Sequence, residues 1–307
     1  MSQARRLLTR EGVLQEILRG NQCAILVEGE AHTDAALLKS ILRNVASQVT
    51  LFGRDGRNNV LADLRELMGQ VPREGLFAIL DRDFESDARV EQGYAPDYSG
   101  HVFFWRRFTI ENYFLEPLWI MEAVHELCWR DVESIPVSLK TEIAAQDYLL
   151  IWARRLLPQS AGNATIIELH RECSNRGIRF QGRSYFEELT ERDPESVRTE
   201  LVTHYSGGAP RAPDLLSAEA IARHYAEKLN ALQSIVQALP AAHAITSGKL
   251  LLRAVYQELP GSSKPNMEYL KGKLVTFASK SIPDDLQTLV IEHILPRWRR
   301  AREEQPQ

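Results

Sequence analysis

Two apolar runs that stop abruptly at carboxylates constrain this chain more than any other feature. The first is Ala24-Ile-Leu-Val, ending in Glu28-Gly29-Glu30, and the second is Leu76-Phe-Ala-Ile-Leu, ending in Asp81-Arg82-Asp83. Short continuous apolar runs of this kind read as strands buried on both faces, the condition of a parallel sheet. In such a sheet the carboxyl ends of neighbouring strands share one edge, and ligands bind in the crevice there. Three carboxylates meeting at that edge repel one another unless a hard cation joins them. Oxygen-only ligands suit Mg²⁺, which keeps several waters and commonly meets phosphate.

The surrounding pattern alternates strand and helix. A leading helix (Val13, Leu14, Ile17 and Leu18, ended by Gly20) precedes the first strand. Thr33 or Asp34 can then cap a helix with Leu37, Leu38, Ile41, Leu42 and Val45 on one face. A strand at Val49–Phe52 and a turn at Gly53–Gly56 lead to a helix from about Asn58, with Val60, Leu61, Leu64, Leu67 and Met68 inward. After the Asp81/Asp83 pair come a polar insert (85–99) and a strand at His101–Trp105. Beyond Pro117 helical spacing takes over, at 144–157, 164–176, 218–239, 247–259, 267–279 and 286–302. The expected architecture is α/β: a mainly parallel sheet flanked by helices over residues 1–120, then an all-helical region over 121–307. Ser206–Pro213, rich in Gly and Pro, reads as the clearest loop.

Composition narrows the class. With 44% hydrophobic and 25% charged residues the chain has the make-up of a globular protein rather than a disordered one. A net charge of −4 gives no overall basic field, although acids gathered at a cation site would mask a basic rim. No apolar run approaches the ~18–20 residues a membrane span needs, and Met1–Arg10 has basic residues without an adjoining apolar core for export. Cys23, Cys128 and Cys173 are far apart and fit a reducing cytoplasm better than a disulfide framework or a zinc site. The histidines show no metal-ligand spacing, and no Gly-x-Ser-x-Gly elbow is present.

Each acidic group has two readings. Glu28-Gly29 is either a solvated loop or a carboxylate aimed into the crevice, with the glycine allowing close approach. Asp81 and Asp83 lie two apart, so alternation sends them to one side and Arg82 to the other; both can grip one cation. Thr109-Ile110-Glu111 is either a helix N-cap with an acid in its first turn or a further acid for a second cation, with Arg106 or Arg107 near phosphate. Ser247-Gly248-Lys249 opens a helix, where backbone N–H groups and a cation can hold an anion, or is simply an exposed lysine. The terminal Arg297-Trp-Arg-Arg-Ala-Arg302 is a solvated helix end or a nucleic-acid backbone contact.

Together these residues resemble a Toprim domain, the metal-binding fold of topoisomerases, primases and a group of nucleases. The resemblance covers about Gln22–Pro117, with Lys249 outlying. Ala24–Gly29 is similar to the family's first strand and glutamate, and Leu76–Asp83 to its Asp-x-Asp strand. The stretch from Thr109 to Pro117 resembles the extra acidic motif of OLD-type nucleases, and still more the compact Toprim effectors of anti-phage systems such as PARIS, which work beside an ABC-type ATPase. The resemblance implies metal binding by Glu28, Asp81, Asp83 and Glu111, with Mg²⁺ or Mn²⁺ as cofactor, and a charge-stabilising role for Lys249. The family's acid four residues after the first glutamate is His32 here, which leaves Asp34 or Glu30 to complete the site.

The expectation is therefore a cytoplasmic, Mg²⁺- or Mn²⁺-dependent nuclease cutting DNA or RNA, tRNA included. Glu28 serves as ligand and base, Lys249 stabilises charge, and an ABC-type ATPase is the partner in antiviral defence. Two alternatives stand beside it: a Toprim-like regulatory or binding subunit without catalysis, and a nucleotide-metabolising phosphotransferase using the same acids. Homo-oligomerisation stays open.

Overall fold

Strands β1 (Cys23–Glu28), β2 (Val49–Arg54), β3 (Leu76–Leu80) and β4 (Val102–Phe104) form one parallel sheet in the order β2-β1-β3-β4. The computed structural model describes residues 14–15, 22–29, 34–70, 75–93, 98, 100–129, 131–180, 186–208, 210–260 and 266–303, without the side chains of Asp34, Ala301 and Arg302. Apart from Leu14 and Gln15, the expected leading helix lies outside the described residues.

The alternating elements follow from their apolar periodicity. Helix α1 (Asp34–Ile41) joins β1 to β2, and α2 (Arg57–Leu67) joins β2 to β3. These two crossovers run in opposite directions across the sheet, so right-handed connection puts α1 and α2 on opposite faces. The face under α2 is a continuous core. Ala24, Leu26, Phe52, Leu76, Ala78, Leu80, Val102 and Phe104 from the strands meet Val60, Leu64 and Leu67 from the helix. The intervening strand residues Ile25, Val27, Phe77 and Ile79 are equally buried, as the unbroken apolar runs require. The polar insert is not all loop: Ser86 caps a short helix α3 (Asp87–Gln92), its hydroxyl accepting from the Arg89 N–H at 3.3 Å.

The chain divides into two compact units, Met1–Phe114 with Lys271–Gln307, and Leu115–Leu270. The second is helical: α4 (Pro117–Leu127), α5 (Glu142–Arg155), α6 (Leu157–Asn175), α7 (Pro194–Tyr205), α8 (Pro213–Leu216), α9 (Ala218–Ile235), α10 (Leu239–Ile245) and α11 (Gly248–Glu258). Helix α6 starts earlier than its composition implies. Pro158 sits in its first turn, where a missing N–H costs nothing, and Gly162 faces the ring of Phe186 so closely that an added Cβ would lie 2.5 Å from it. The stretch 158–163, left between two expected helices, is a helix start followed by a close contact.

Helix α12 (Met267–Lys280) spans the boundary between the units. It is followed by α13 (Asp284–Gln287), a π-helical stretch (Thr288–Ile294) and α14 (Leu295–Glu303). The sequence placed 271–307 with the helical half, whereas side-chain bonds tie this segment to the sheet unit. Arg107 Nε pairs with Asp285 Oδ2 at 3.0 Å, Arg297 Nη1 donates to the Gly100 carbonyl at 2.7 Å, and Arg299 donates to Gln48. Arg297 and Arg299 thus have partners in the protein. No helix among the described residues is long and apolar enough to cross a membrane.

The three cysteines form no disulfide and are buried, and burial pushes the Cys23 thiol up to about 12. Since the thiolate is the reactive form, Ellman's reagent is expected to leave all three cysteines of the native protein unlabelled in mildly alkaline buffer. Urea-unfolded protein is expected to release all three. Fast labelling of Cys23 in the native state would show that β1 is not a buried strand.

Candidate functional site

The reversal of crossover direction makes the gap between β1 and β3 a topological switch point, the place where open α/β sheets commonly bind ligands. Glu28 is the last residue of β1 and Asp81 the first after β3. The Asp81 N–H donates to Glu28 Oε1 at 3.1 Å, which fixes the two strand ends to each other.

Alternation puts Glu28 on the face of Ala24 and Leu26, the face that α2 covers. Helix α2 begins with Arg57, and its guanidinium fills the space between the acids. Its Nε donates to Glu28 Oε1 at 3.4 Å and its Nη1 to Glu85 Oε1 at 3.2 Å. Its Nη2 donates to Asp83 Oδ2 at 2.9 Å and to the Asp81 carbonyl at 2.8 Å. Below, the guanidinium rests on the ring of Phe104 at 5.4 Å, a cation–π contact. Only a planar fork of donors can serve oxygens in so many directions, and a lysine could not.

The backbone at the edge is bent to suit. Gly29 turns out of β1 at φ +95°, open to glycine without strain. Asp83 adopts φ +48°, the only non-glycine residue with a positive φ among the described residues. Aspartate tolerates this region better than most side chains, yet it costs about 1 kcal/mol.

Electrostatics at the cluster are unbalanced. Burial raises the Glu28 pKa above the usual carboxyl range, and the Asp83 charge adds to the rise. The Arg57 charge and the Asp81 N–H act against it without overcoming it. Burial likewise works against the Arg57 charge, but Asp83, Glu28 and Glu85 outweigh it and hold its pKa above the ordinary arginine value. Three carboxylates thus share one guanidinium.

The other sequence candidates fall in different settings. Arg82 points away from the cluster, its Nη1 donating to the Arg106 carbonyl at 2.8 Å and its Nη2 pairing with Asp87. Glu111 sits in a short 3₁₀ turn (Ile110–Phe114) and is almost wholly buried at 2% exposure, unlike a solvated capping acid. Its Oε1 lies 4.0 Å from Lys271 Nζ, and its Oε2 has no hydrogen-bond partner. Among the described residues no bond joins Glu111 to Glu28, Asp81 or Asp83. Thr109 does not cap the turn with its hydroxyl; its N–H and its hydroxyl both donate to Asn112 Oδ1. Arg107 is held by Asp285 and by the Asn112 carbonyl and lies over the Tyr113 ring, while Arg106 is exposed. Lys249 is exposed in the first turn of α11, in the other compact unit. Glu30 and the Asp34 side chain lie outside the described residues, although Asp34 opens α1.

Sequence reasoning passed over Arg57 and Glu85. Glu85 extends the alternation to Asp-x-Asp-x-Glu, a spacing visible in the chain. Arg57 carries a subtler sign. Its helix has Gly56 at the N-cap, no side-chain cap and no acid in the first turn, so a positive charge stands where the helix dipole disfavours it. A local rule broken in this way commonly marks a functional position.

The donors suit a hard divalent cation in their chemistry. They are carboxylate oxygens, Oε2 of Glu28 makes no bond among the described residues, and Oε2 of Glu111 is buried without a partner. Among the described residues no three acidic, imidazole or thiol groups stand around one point.

Two stability measurements test this geometry. Asp83→Gly is expected to be more stable than Asp83→Ala by about 1 kcal/mol in urea unfolding, because glycine relieves the left-handed backbone and both lose the Arg57 pairing; equal stabilities would contradict the positive φ. Glu28 has a raised folded pKa, so its contribution is full below the unfolded carboxyl pKa and is lost as pH rises through the folded one. With EDTA present, the stability of the native chain relative to Glu28→Gln is therefore expected to fall as pH climbs from the ordinary carboxyl range and then to level off. A rise over that range would reverse the assigned direction. No protein-family model matches this chain, and no curated protein matches it.

Proposed function

We propose that the chain is a Mg²⁺- or Mn²⁺-dependent phosphodiesterase acting on nucleic acid, built on a Toprim-like sheet. The observation that carries this reading is the meeting of Glu28 with the Asp81–Glu85 loop at the β1/β3 switch point. Chain segments far apart in sequence bring oxygen donors to one solvent-facing crevice there. Glu28, Asp81 and Asp83 would hold the cation, with Glu111 and Asp34 as further acids. A bound divalent cation supplies charge neutralisation at phosphorus and at the attacking and leaving oxygens.

The chain's own residues supply the rest. Glu28, at the end of β1 beside the Asp81–Glu85 loop, would take a proton from an attacking water as general base. Arg57 offers a guanidinium beside the acids for phosphate oxygens, and Arg106, exposed after β4, is a further candidate for a nucleic-acid contact. The likeness to anti-phage effectors extends the proposal to a DNA or RNA substrate, tRNA included, and to an ABC-type ATPase partner in the cytoplasm.

A second reading has its own support. Arg57 already neutralises part of the acidic cluster from within the chain, as in a domain that keeps the Toprim shape for binding or regulation and has lost catalysis.

The deciding assay incubates purified protein with plasmid DNA and with total tRNA in Mn²⁺, Mg²⁺ or EDTA, alone and with a co-expressed ATPase. Cleavage is expected only with the metals, and Glu28→Gln or Asp81→Asn is expected to fold normally and to lose about 100-fold or more of it. Undiminished cleavage by folded variants would remove these residues from the chemistry. No cleavage under any condition would favour the regulatory reading.

A further inference from the structure

Arg57 does more than join the acids; it stands in the place a cation would take. Its three nitrogens bond Glu28, Asp83 and Glu85 together with the Asp81 carbonyl. These are the hard oxygens that would otherwise turn to a divalent ion. The guanidinium has a route out, since its side chain is 24% exposed, and it rests on the face of Phe104. It also sits at the amino end of α2 without any cap or first-turn acid, so the carboxylates alone offset its conflict with the helix dipole.

We propose that Arg57 is a resident counter-ion that a divalent cation must displace, so that the chain sets its own metal affinity by internal competition. The inference rests on the metal-dependent reading of the same site. In the metal-free protein Arg57 keeps the acids from repelling one another and holds the β1 and β3 ends in register with α2. When the cation enters, the carboxylates exchange partners and the guanidinium swings toward solvent, where it is available to a phosphate. Both halves of the exchange have a cost, so metal binding is weaker than the number of acids alone would give.

The test measures binding of Mn²⁺ alone by titration calorimetry, with melting temperatures in EDTA and in Mn²⁺. Arg57→Gln removes the competitor and is expected to bind Mn²⁺ about tenfold or more tighter than the native chain, each tenfold being about 1.4 kcal/mol. The same variant is expected to melt lower than the native chain in EDTA and to gain more from Mn²⁺. Arg57→Lys keeps the charge and covers the case in which the glutamine variant does not fold. One ammonium cannot bridge the three carboxylates, so its Mn²⁺ affinity is also expected to rise. If the native chain binds Mn²⁺ and neither variant binds it more tightly, the competition is overturned while the metal site stands. If no form binds Mn²⁺, the competition and the metal-dependent function fall together.

Discussion

Charge compensation at the carboxyl edge of the sheet is the constraint on which the rest of the sheet unit depends. Glu28, Asp83 and Glu85 arrive there because two strands end side by side, and nothing in the strands themselves relieves their mutual repulsion. Arg57 does, and its position at the first turn of α2 is fixed by the helix that covers the same sheet face. The guanidinium therefore couples the β1 end, the loop after β3, the start of α2 and, through Phe104, the end of β4. Four elements share one ionic junction, and a change at any of them reaches the others.

Most of the sheet was legible in the chain, because periodicity reports burial directly. Ala24–Val27 and Leu76–Leu80 are apolar at every position, and they occupy the two central strands, buried on both faces. The face of α2 was equally plain, with Val60, Leu64 and Leu67 at helical spacing. The strand order was not, since nothing local states that β3 passes to the far side of β1. The place of 271–307 was also hidden. It is set by pairings such as Arg107 with Asp285, residues remote in sequence and individually unremarkable as surface charges. At Pro158 and Gly162 the residue types that usually break a helix instead start one and allow close packing within it.

The candidate site was half legible for a related reason. Acids at strand ends stand out against an apolar background, so Glu28, Asp81 and Asp83 could be picked from the chain. Their need for a positive partner followed from electrostatics, and a metal was the expected answer. The chain's own answer, Arg57, lies in a polar turn, Gly53-Arg54-Asp55-Gly56-Arg57, where one arginine looks like another. Only the fold separates them. Arg54 forms a buried ion pair with Asp63, whereas Arg57 faces the crevice acids. Glu111 shows the converse, a surface-looking acid that the fold buries.

Several local preferences are violated at this one edge. Asp83 holds a left-handed backbone, Arg57 opens an uncapped helix, and Glu28 is buried with its pKa raised. The left-handed aspartate and the uncapped helix start each cost on the order of 1 kcal/mol, and glycine at 83 would relieve the first. A folded domain is stable by only about 5–15 kcal/mol, so penalties of this size matter to it. The Arg57 bonds give back part of the cost, but they exist only because the acids are there, so they cannot be the reason for the acids. Such departures cluster where a strained arrangement has a use, and here they gather at the β1/β3 switch point around the Arg57 bonds to Glu28, Asp83 and Glu85.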